Sequence, residues 1–328
     1  MKFQNARRQA ALILGATCLA TLGMTVAQAS DLPPLKVIIP ASAGSGQDAI
    51  IRGVSQSLSA ALGGRSVVIE NLAGAGGVTG AAALTRAAPD GNTIAMISNN
   101  HVVNPSVYKK LPFDTVNDFT PIGLIGSTPF VLVVNPAKVP AKDAKELQAL
   151  LKSKPKAFNY ASSGNGTIIH LAGAMVVDAL DTEVIHVPYK GMGGMVTDLI
   201  GGQVEMGVVA VPVAQQHIKS GALRAIGITS KTRVVTLPSV PTMSEQGFPA
   251  IDVAGWFAFI GPAKMSSEVT AKLHEAILKA FSMPEAKQAM AKQDNVLHPI
   301  SPAETAKFLR TEIDRYAQLV KKADVKVD

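Results

Sequence analysis

Short apolar runs recur along the chain, bounded by Gly, Pro or Asn: L-K-V-I-I-P from Leu35, S-V-V-I-E-N from Ser66, T-I-A-M-I-S from Thr93, F-V-L-V-V-N from Phe130, F-N-Y-A-S from Phe158, V-I-H-V-P from Val184, M-G-V-V-A-V from Met206 and L-R-A-I-G-I from Leu223. They are often β-branched and predict buried strands. Between several of them the period becomes helical. Ile50, Val54, Leu58, Ala61 and Leu62 make one face of a helix beginning near Gln47. Further helices are expected over residues 168–180 and 193–200. Strand–helix alternation predicts an α/β fold with mixed, largely parallel sheets flanked by helices.

From Ser267 the pattern is mostly helical. Helices are expected over 268–281, 284–293 and 302–321, with Ser266 or Ser267, Ser282 and Ser301 as N-caps and Pro284 and Pro302 in first turns. Helices that follow the strands imply a C-terminal stretch returning to the first domain. The connections at 126–129 and 229–233 are short, which suits two lobes moving about a hinge. The expected organisation is one lobe from 30–126 plus 232–328 and a second from 127–231.

The first thirty residues differ from the rest. Lys2, Arg7 and Arg8 precede an uncharged stretch of seventeen residues ending at Val26, and Ala27-Gln28-Ala29 follows as a small-x-small cleavage signal. This pattern predicts a secretory leader, residues 1–29, removed after Ala29. Seventeen residues interrupted by Gly and Thr are short for a membrane anchor. The flanks do not suit a twin-arginine signal at Arg7-Arg8, and the apolar run ahead of Cys18 is brief for a lipoprotein. Cys18 is the only cysteine, so the exported chain has no disulfide and no thiolate chemistry. Loss of Lys2, Arg7 and Arg8 lowers the formal charge from +7 to +4. That mild charge, without Lys/Arg clusters interleaved with aromatics, argues against nucleic acid as a partner. No later apolar run is long enough to cross a bilayer, and the length suits two domains.

Chemistry gathers at two loops. V-I-I-P-A-S-A-G-S-G-Q-D, from Val37 to Asp48, ends a strand and opens a helix. Ligands of open α/β sheets bind at the carboxyl ends of strands, where helix starts offer unpaired N–H donors. Gly44 and Gly46 admit close approach of a ligand, and Ser42 and Ser45 add hydroxyls. Ser162-Ser163-Gly164-Asn165-Gly166-Thr167 repeats the design ahead of the helix carrying His170. Two such loops, one in each half, can close on one anion from opposite sides. Ser98-Asn99-Asn100 ends another strand and opens on the same face, as ligand contacts or as turn formers. Asp48 is read as a cap for its loop, with a general base as the alternative. Trp256, the only tryptophan, either packs in the core or walls a ligand.

No catalytic constellation emerges. Asn71–Gly80 has the spacing G-x-G-x-x-x-G without an acidic partner for a ribose, so it is read as a turn and a small-residue helix packed on a neighbour. There is no G-x-S-x-G elbow. The six histidines are far apart in sequence, His170 is read as a packing residue, and no spacing calls for a metal. No cofactor is expected.

The phrases V-V-I-E-N-L-A-G-A-G-G-V-T-G, A-A-P-D-G-N-T-I, D-F-T-P-I-G, N-Y-A-S-S-G-N-G-T-I-I-H-L-A-G, H-V-P-Y-K-G, D-L-I-G-G-Q-V-E and L-P-S-V-P-T-M-S-E-Q-G-F-P occur in this order. In order and spacing, from about Pro34 to the C-terminus, the chain resembles the Bug family of periplasmic solute receptors, associated with tripartite tricarboxylate transporters. The resemblance implies a two-lobed, flytrap-like periplasmic-binding-protein fold, a monomer, and no enzymatic activity. It implies capture of a small carboxylate (a di- or tricarboxylate, an acidic amino acid or an aromatic acid) for delivery to membrane permease subunits. It also implies that residues 41–48 and 162–167 grip the carboxylate, largely with backbone N–H groups and waters, and that Val187–Gly191 borders the cleft. The ligand contacts expected are Ser42, Ala43, Gly44, Ser45, Gly46, Gln47, Asp48, Ser98, Asn99, Ser162, Ser163, Gly164, Asn165, Thr167, Tyr189 and Trp256. The family's usual Pro-Gly-Gly in the first loop is absent here, though Asp48 is kept. The alternatives are an exported hydrolase using Ser45 or Ser163, and a receptor that serves signalling.

Overall fold

The computed structural model describes residues 32–322, and the predicted leader lies outside them. Strand β1 (Leu35–Ile39) buries Leu35, Val37, Ile38 and Ile39. It lies between β2 (Val67–Asn71) and β3 (Thr93–Ser98), parallel to both. Helix α1 (Gly46–Ala61) joins β1 to β2, and α2 (Val78–Leu84) joins β2 to β3. These are the crossover units that the alternating pattern predicts. Helix α3 (Asn100–Val107) follows. Then β4 (Phe119–Thr128) and, much later, β10 (Gly255–Pro262) join the same sheet, β10 lying antiparallel between β3 and β4, with β11 (Val296–Leu297) antiparallel to β4 at the edge. The order is β11-β4-β10-β3-β1-β2.

The chain passes to a second sheet across Pro129. Strands β5 (Phe130–Val134), β6 (Asn159–Ser162), β7 (Ile185–Pro188), β8 (Met206–Ala210) and β9 (Arg224–Ile228) lie in the order β7-β6-β8-β5-β9. Between them run α4 (Ala144–Ser153), α5 (Ile168–Ala179), α6 (Met192–Gly201) and α7 (Val211–Lys219). Both sheets are mixed, as expected, but less parallel than the alternation implies. β10 runs against β3 and β4, and β5 runs against β8 and β9. Strands arriving near the junction between sheets have no crossover helix to bring them round in parallel.

After β9 the chain stays with the second sheet. The Met243 N–H donates to Ile228 O (2.8 Å), the Val253 N–H to Thr229 O (3.0 Å) and Gln246 Nε2 to Ile226 O (2.9 Å). The return occurs at residues 254–255, where Gly255 pairs with Thr128.

The apolar pattern does not predict β4 and β10, although they are interior strands of the first sheet. They carry Pro121, Gly123, Gly126, Gly255 and Gly261, which read as turn residues. The ladder absorbs them through a register shift between Phe259 and Ile260, opposite Gly123 and Pro121. At Gly126 a Cβ would lie 2.3 Å from Val296 O, so β11 can approach only a glycine. Along β10, Phe257 and Phe259 face α1 and Phe281, while Trp256, Ala258 and Ile260 face the opposite core with Tyr316. Three of the expected buried strands, β2, β7 and β9, are edges, and Val68 of β2 and Ile185 of β7 are exposed.

The C-terminal helices α8 (Ser267–Ser282), α9 (Pro284–Lys292) and α10 (Pro302–Lys322) cover the first sheet as expected. Ser266 caps α8, accepting the Val269 N–H (3.2 Å). Ser301 and Glu304 form a reciprocal capping box. Ser282 is not a cap. Its hydroxyl donates to Lys279 O (2.7 Å), and Met283 precedes Pro284 at the start of α9.

Two histidines that the sequence keeps apart meet between β6, β7 and α5. The rings of His170 and His186 stack at 3.7 Å and 8°, and Tyr160 stacks on His186 at 4.9 Å. His170 Nδ1 accepts the Gly166 N–H (3.1 Å), and His186 Nε2 lies 2.7 Å from Ser162 Oγ. The pair therefore fixes the loop between β6 and α5. Burial drives both imidazoles down to about 4, helped at His170 by its neighbour's ring. His101, enclosed by Phe113 and Phe119, is likewise driven down to about 4 by burial. Unfolded, these rings titrate near 6.5, so between about 6.5 and 4 the unfolded chain binds more protons. This contribution to stability is fully present above pH 6.5 and is lost as the pH falls towards 4. Urea midpoints measured at pH 7.5, 5.5 and 4.5 are expected to fall in that order. At Gly173 a Cβ would lie 2.6 Å from the Tyr160 ring. Gly173→Ala is expected to cost about 1–3 kcal/mol by displacing that ring, read as a lower urea midpoint at unchanged slope.

Candidate ligand-binding cleft

The first loop is built round its helix start. Ser45 caps α1 by accepting the Asp48 N–H (3.3 Å), and Asp48 reaches back to accept the Gly44 N–H (3.0 Å). Gly44 has φ +77°, a left-handed turn that favours glycine. Arg52 Nε donates to both Asp48 oxygens at 2.9 Å. Burial opposes ionisation of Asp48, but the Arg52 and Gly44 hydrogen bonds outweigh it and hold the carboxyl below its usual range. Asp48 is thus a cap with its charge absorbed. Gln47 is fixed by a bond from Nε2 to Met96 O (2.9 Å). The N–H groups of Gly46 and Gln47 begin the helix and meet no acceptor among the described residues.

The second loop follows the same plan. Thr167 caps α5, accepting the His170 N–H (3.3 Å) and donating to Gly164 O (2.8 Å). Ser163 Oγ donates to Thr167 Oγ1 (3.1 Å). Ser162 is fully buried and accepts the Gly164 N–H. Caps and imidazoles hold this backbone, and the N–H groups of Ser163 and Asn165 remain without an acceptor among the described residues.

The two loops face each other across a cleft of about 640 Å³. Ser42, Ser45, Gly46, Gln47, Ser98, Asn99, Ser163, Gly164, Asn165, Thr167, Tyr189 and Trp256 line it. Four other expected contacts do not. Ala43 and Gly44 face solvent, while Asp48 and Ser162 are buried behind their loops. The sheets approach closely: a Cβ on Gly191 would lie 3.6 Å from Ser42 Oγ.

Three side chains have other employment. Trp256 is only 6% exposed; its Nε1 donates to Glu312 Oε2 (3.2 Å) and its ring meets Phe308 edge-on, so its ring packs in the core where the residue borders the cleft. Asn99 is fully buried. Its Nδ2 donates to Ala254 O (3.1 Å) and Tyr316 Oη (2.8 Å), and its Oδ1 accepts the Trp256 N–H (3.0 Å). Tyr189 donates its hydroxyl to Asp198 (2.8 Å), and burial with that bond pushes it up to about 12.

Sequence reasoning placed Asn100 on the face of the first loop but missed its bond to the second, and it missed the glycine loop as a wall of the cleft. Asn100 Oδ1 accepts the Ile168 N–H (2.9 Å), reaching from α3 to the first residue of α5. Residues 73–77 line the cleft beside the first loop. Gly80 lets α2 lie against that loop, since a Cβ there would be 2.9 Å from Pro40 Cα. The small-residue helix expected after Asn71 is therefore present, and its neighbour is the first loop. Only the run of glycines hinted at such an approach.

The serine chemistry needed by a hydrolase is not assembled. Ser45 Oγ is a helix cap, Ser163 bonds to Thr167, and the serine–imidazole hydrogen bond among the described residues is that of the buried Ser162. Among the described residues no three His, Cys, Asp or Glu side chains converge to hold a metal, and no helix is long and apolar enough to cross a membrane.

Comparison with known proteins agrees with this arrangement. The profile of the Tripartite tricarboxylate transporter family receptor matches residues 50–325. Protein BugT of Bordetella pertussis is 32% identical over 94% of this chain and 96% of its own. A solved structure described as that of a periplasmic transporter is 36% identical, covers 92% of this chain and 100% of its own, and superposes with a TM-score of 0.85. MatC from Rhodopseudomonas palustris, solved with bound malate, is 25% identical over 88% of this chain and 99% of its own, with a TM-score of 0.81. The chain belongs to the tripartite tricarboxylate transporter receptor family, whose members are periplasmic solute-binding receptors and not enzymes.

Proposed function

We propose that the protein captures a small carboxylate between its two lobes and delivers it to the membrane permease subunits of a tripartite transporter. The observation that carries this reading is the pairing of two helix starts across one cleft, each with N–H donors that the protein leaves unbonded. Neutral donors stabilise an anion without a buried counter-ion, and so permit release. In this reading the Gly46, Gln47, Ser163 and Asn165 N–H groups, with the Ser42 hydroxyl, hold the carboxylate. MatC, solved with malate, supports the ligand class. The second lobe is taken to run to about residue 253, because residues 229–253 bond to the second sheet. Export follows cleavage after Ala29, and the receptor works as a monomer in the periplasm.

Asn100 adds a closing contact. It joins α3 of one lobe to the start of α5 in the other. Closure then presents a changed surface to the permease, and differential affinity for open and closed states drives it.

A carboxylate that binds only the folded protein raises its thermal midpoint, and at 100 times its Kd it adds about 2.7 kcal/mol of stability. A broad panel of carboxylic acids that gives no shift would overturn the reading. Gly46→Pro gives a sharper test. Position 46 opens the helix, Ser45 is extended (φ −70°, ψ 163°) and a Cβ at Gly46 meets nothing within 4 Å. The variant is expected to keep its melting temperature without ligand and to lose about tenfold in affinity by calorimetry, having lost one N–H donor. Asn100→Ala is expected to speed ligand release about five- to tenfold in stopped-flow measurements, with a smaller effect on association.

A further inference from the structure

The two lobes also touch on the far side of the strands that cross between them. In the first sheet β11 lies beyond β4, away from β3 and β1; in the second, β9 lies beyond β5, away from β8 and β6. The loops of the cleft follow β1, β3 and β6, so the turn ahead of β11 and the segment after β9 meet behind the hinge. There the Thr236 N–H donates to Asp294 Oδ1 (3.0 Å), and the Thr236 hydroxyl donates to Asp294 Oδ2. Beside them Gln215 Nε2 of α7 donates to Lys292 O (3.1 Å).

Each partner is fastened to its own lobe. Asp294 occupies a left-handed turn (φ +52°) after α9, and its N–H donates to Ala291 O (3.1 Å). The next side chain, Asn295, accepts the Thr128 hydroxyl at the end of β4 (2.6 Å). Thr236 lies between the buried Val234 and Leu237, in the segment whose Met243 and Val253 N–H groups bond to Ile228 and Thr229. Asp294 is buried, has no ion pair among the described residues, and takes a hydrogen bond from Thr236 on each oxygen. A buried carboxylate without a cation depends on such donors, and bonds to a charged acceptor are roughly twice as strong as neutral ones. Two bonds to one carboxylate fix both separation and angle. A rotation that opens the cleft turns this seam as well and breaks them.

Resting on the hinged closure proposed above, we infer that Asp294 and Thr236 form a clasp behind the hinge that holds the empty receptor near its closed angle, and that this pair, remote from the cleft, sets how readily the cleft captures its ligand. A ligand that meets lobes already near that angle loses less of its affinity to closing them, because apparent affinity scales with the fraction of receptor that is competent to bind.

The chain after Ala29 has no cysteine, so Gln56→Cys on α1 and Thr197→Cys on α6, both exposed, place one spin label in each lobe. Double electron–electron resonance on the ligand-free protein then reads the distance between the lobes, and the closed distance is expected to predominate. Asp294→Gly suits the left-handed turn and removes both bonds; it is expected to lower the ratio of closed to open protein about tenfold. Thr236→Val removes the hydroxyl bond alone and is expected to lower that ratio about three- to fivefold. Melting temperatures check that each variant folds. If Asp294→Gly does not, Thr236→Val, whose side chain keeps the shape of threonine, carries the same test. Asn100→Ala, which cuts the contact at the cleft, is the reference for opening. A distribution unmoved by the clasp variants but widened by Asn100→Ala would overturn the clasp and leave lobe closure standing. A rise in the closed fraction would show that the pair favours opening, and would overturn the inference. A distribution unmoved by all three variants would overturn hinged closure itself.

Discussion

An α-helix cannot satisfy its own first N–H groups, and this cleft is organised round two helices that begin at the same place. The surrounding bonds take up some of those donors and leave others. Ser45 and Thr167 take the third N–H of their helices, and Asp48 takes that of Gly44. His170 takes that of Gly166, and Asn100 reaches from α3 to take that of Ile168. What remains is a small set of neutral donors held in place by their bonded neighbours. Such a set is preorganised, so an anion entering it need not order the loops first.

Each loop is held from behind by a buried charge or a buried ring. Under the first loop the Asp48 carboxylate, kept ionised by Arg52, holds the turn at Gly44. Under the second the stacked His170 and His186 do the corresponding work while uncharged. Burying a group requires bonded partners, and both loops provide them. The first support depends on charge and the second on its absence, so the two respond to acid in different ranges. Asn99 performs a third version of the task. Its amide ties the end of β3 to the start of β10 and to Tyr316, near the place where the chain returns from the second sheet.

Much of this was legible in residue order. The runs that became β1, β3, β5 and β8 are continuous and apolar because helices or loops cover both faces, and that pattern survives in a single sequence. The loops were legible because Gly, Ser and Thr cluster where an apolar run stops and a helical period starts. β4 and β10 were not, because Pro121 and Gly126 serve as accommodations to β10 and β11, and a local reading takes them for breaks. Trp256 was open to two readings for a related reason: its sequence neighbours cannot reveal that Glu312 and Phe308 hold its ring. The histidines read as separate because stacking between β7 and α5 leaves no spacing signature.

The sequence by itself determined the alternation of strands and helices, the two hydroxyl-rich loops at helix starts, and the absence of a cysteine after Cys18. These follow from short-range rules of burial period, capping and backbone freedom, which act within a few residues. The tertiary structure alone decided which donors stay unbonded, that Asn100 spans from one sheet's helices to the other's, and that a single exposed lysine supplies the charge of the cleft. Those properties depend on which side chains from distant segments reach the same few ångströms, and no local pattern encodes that distance.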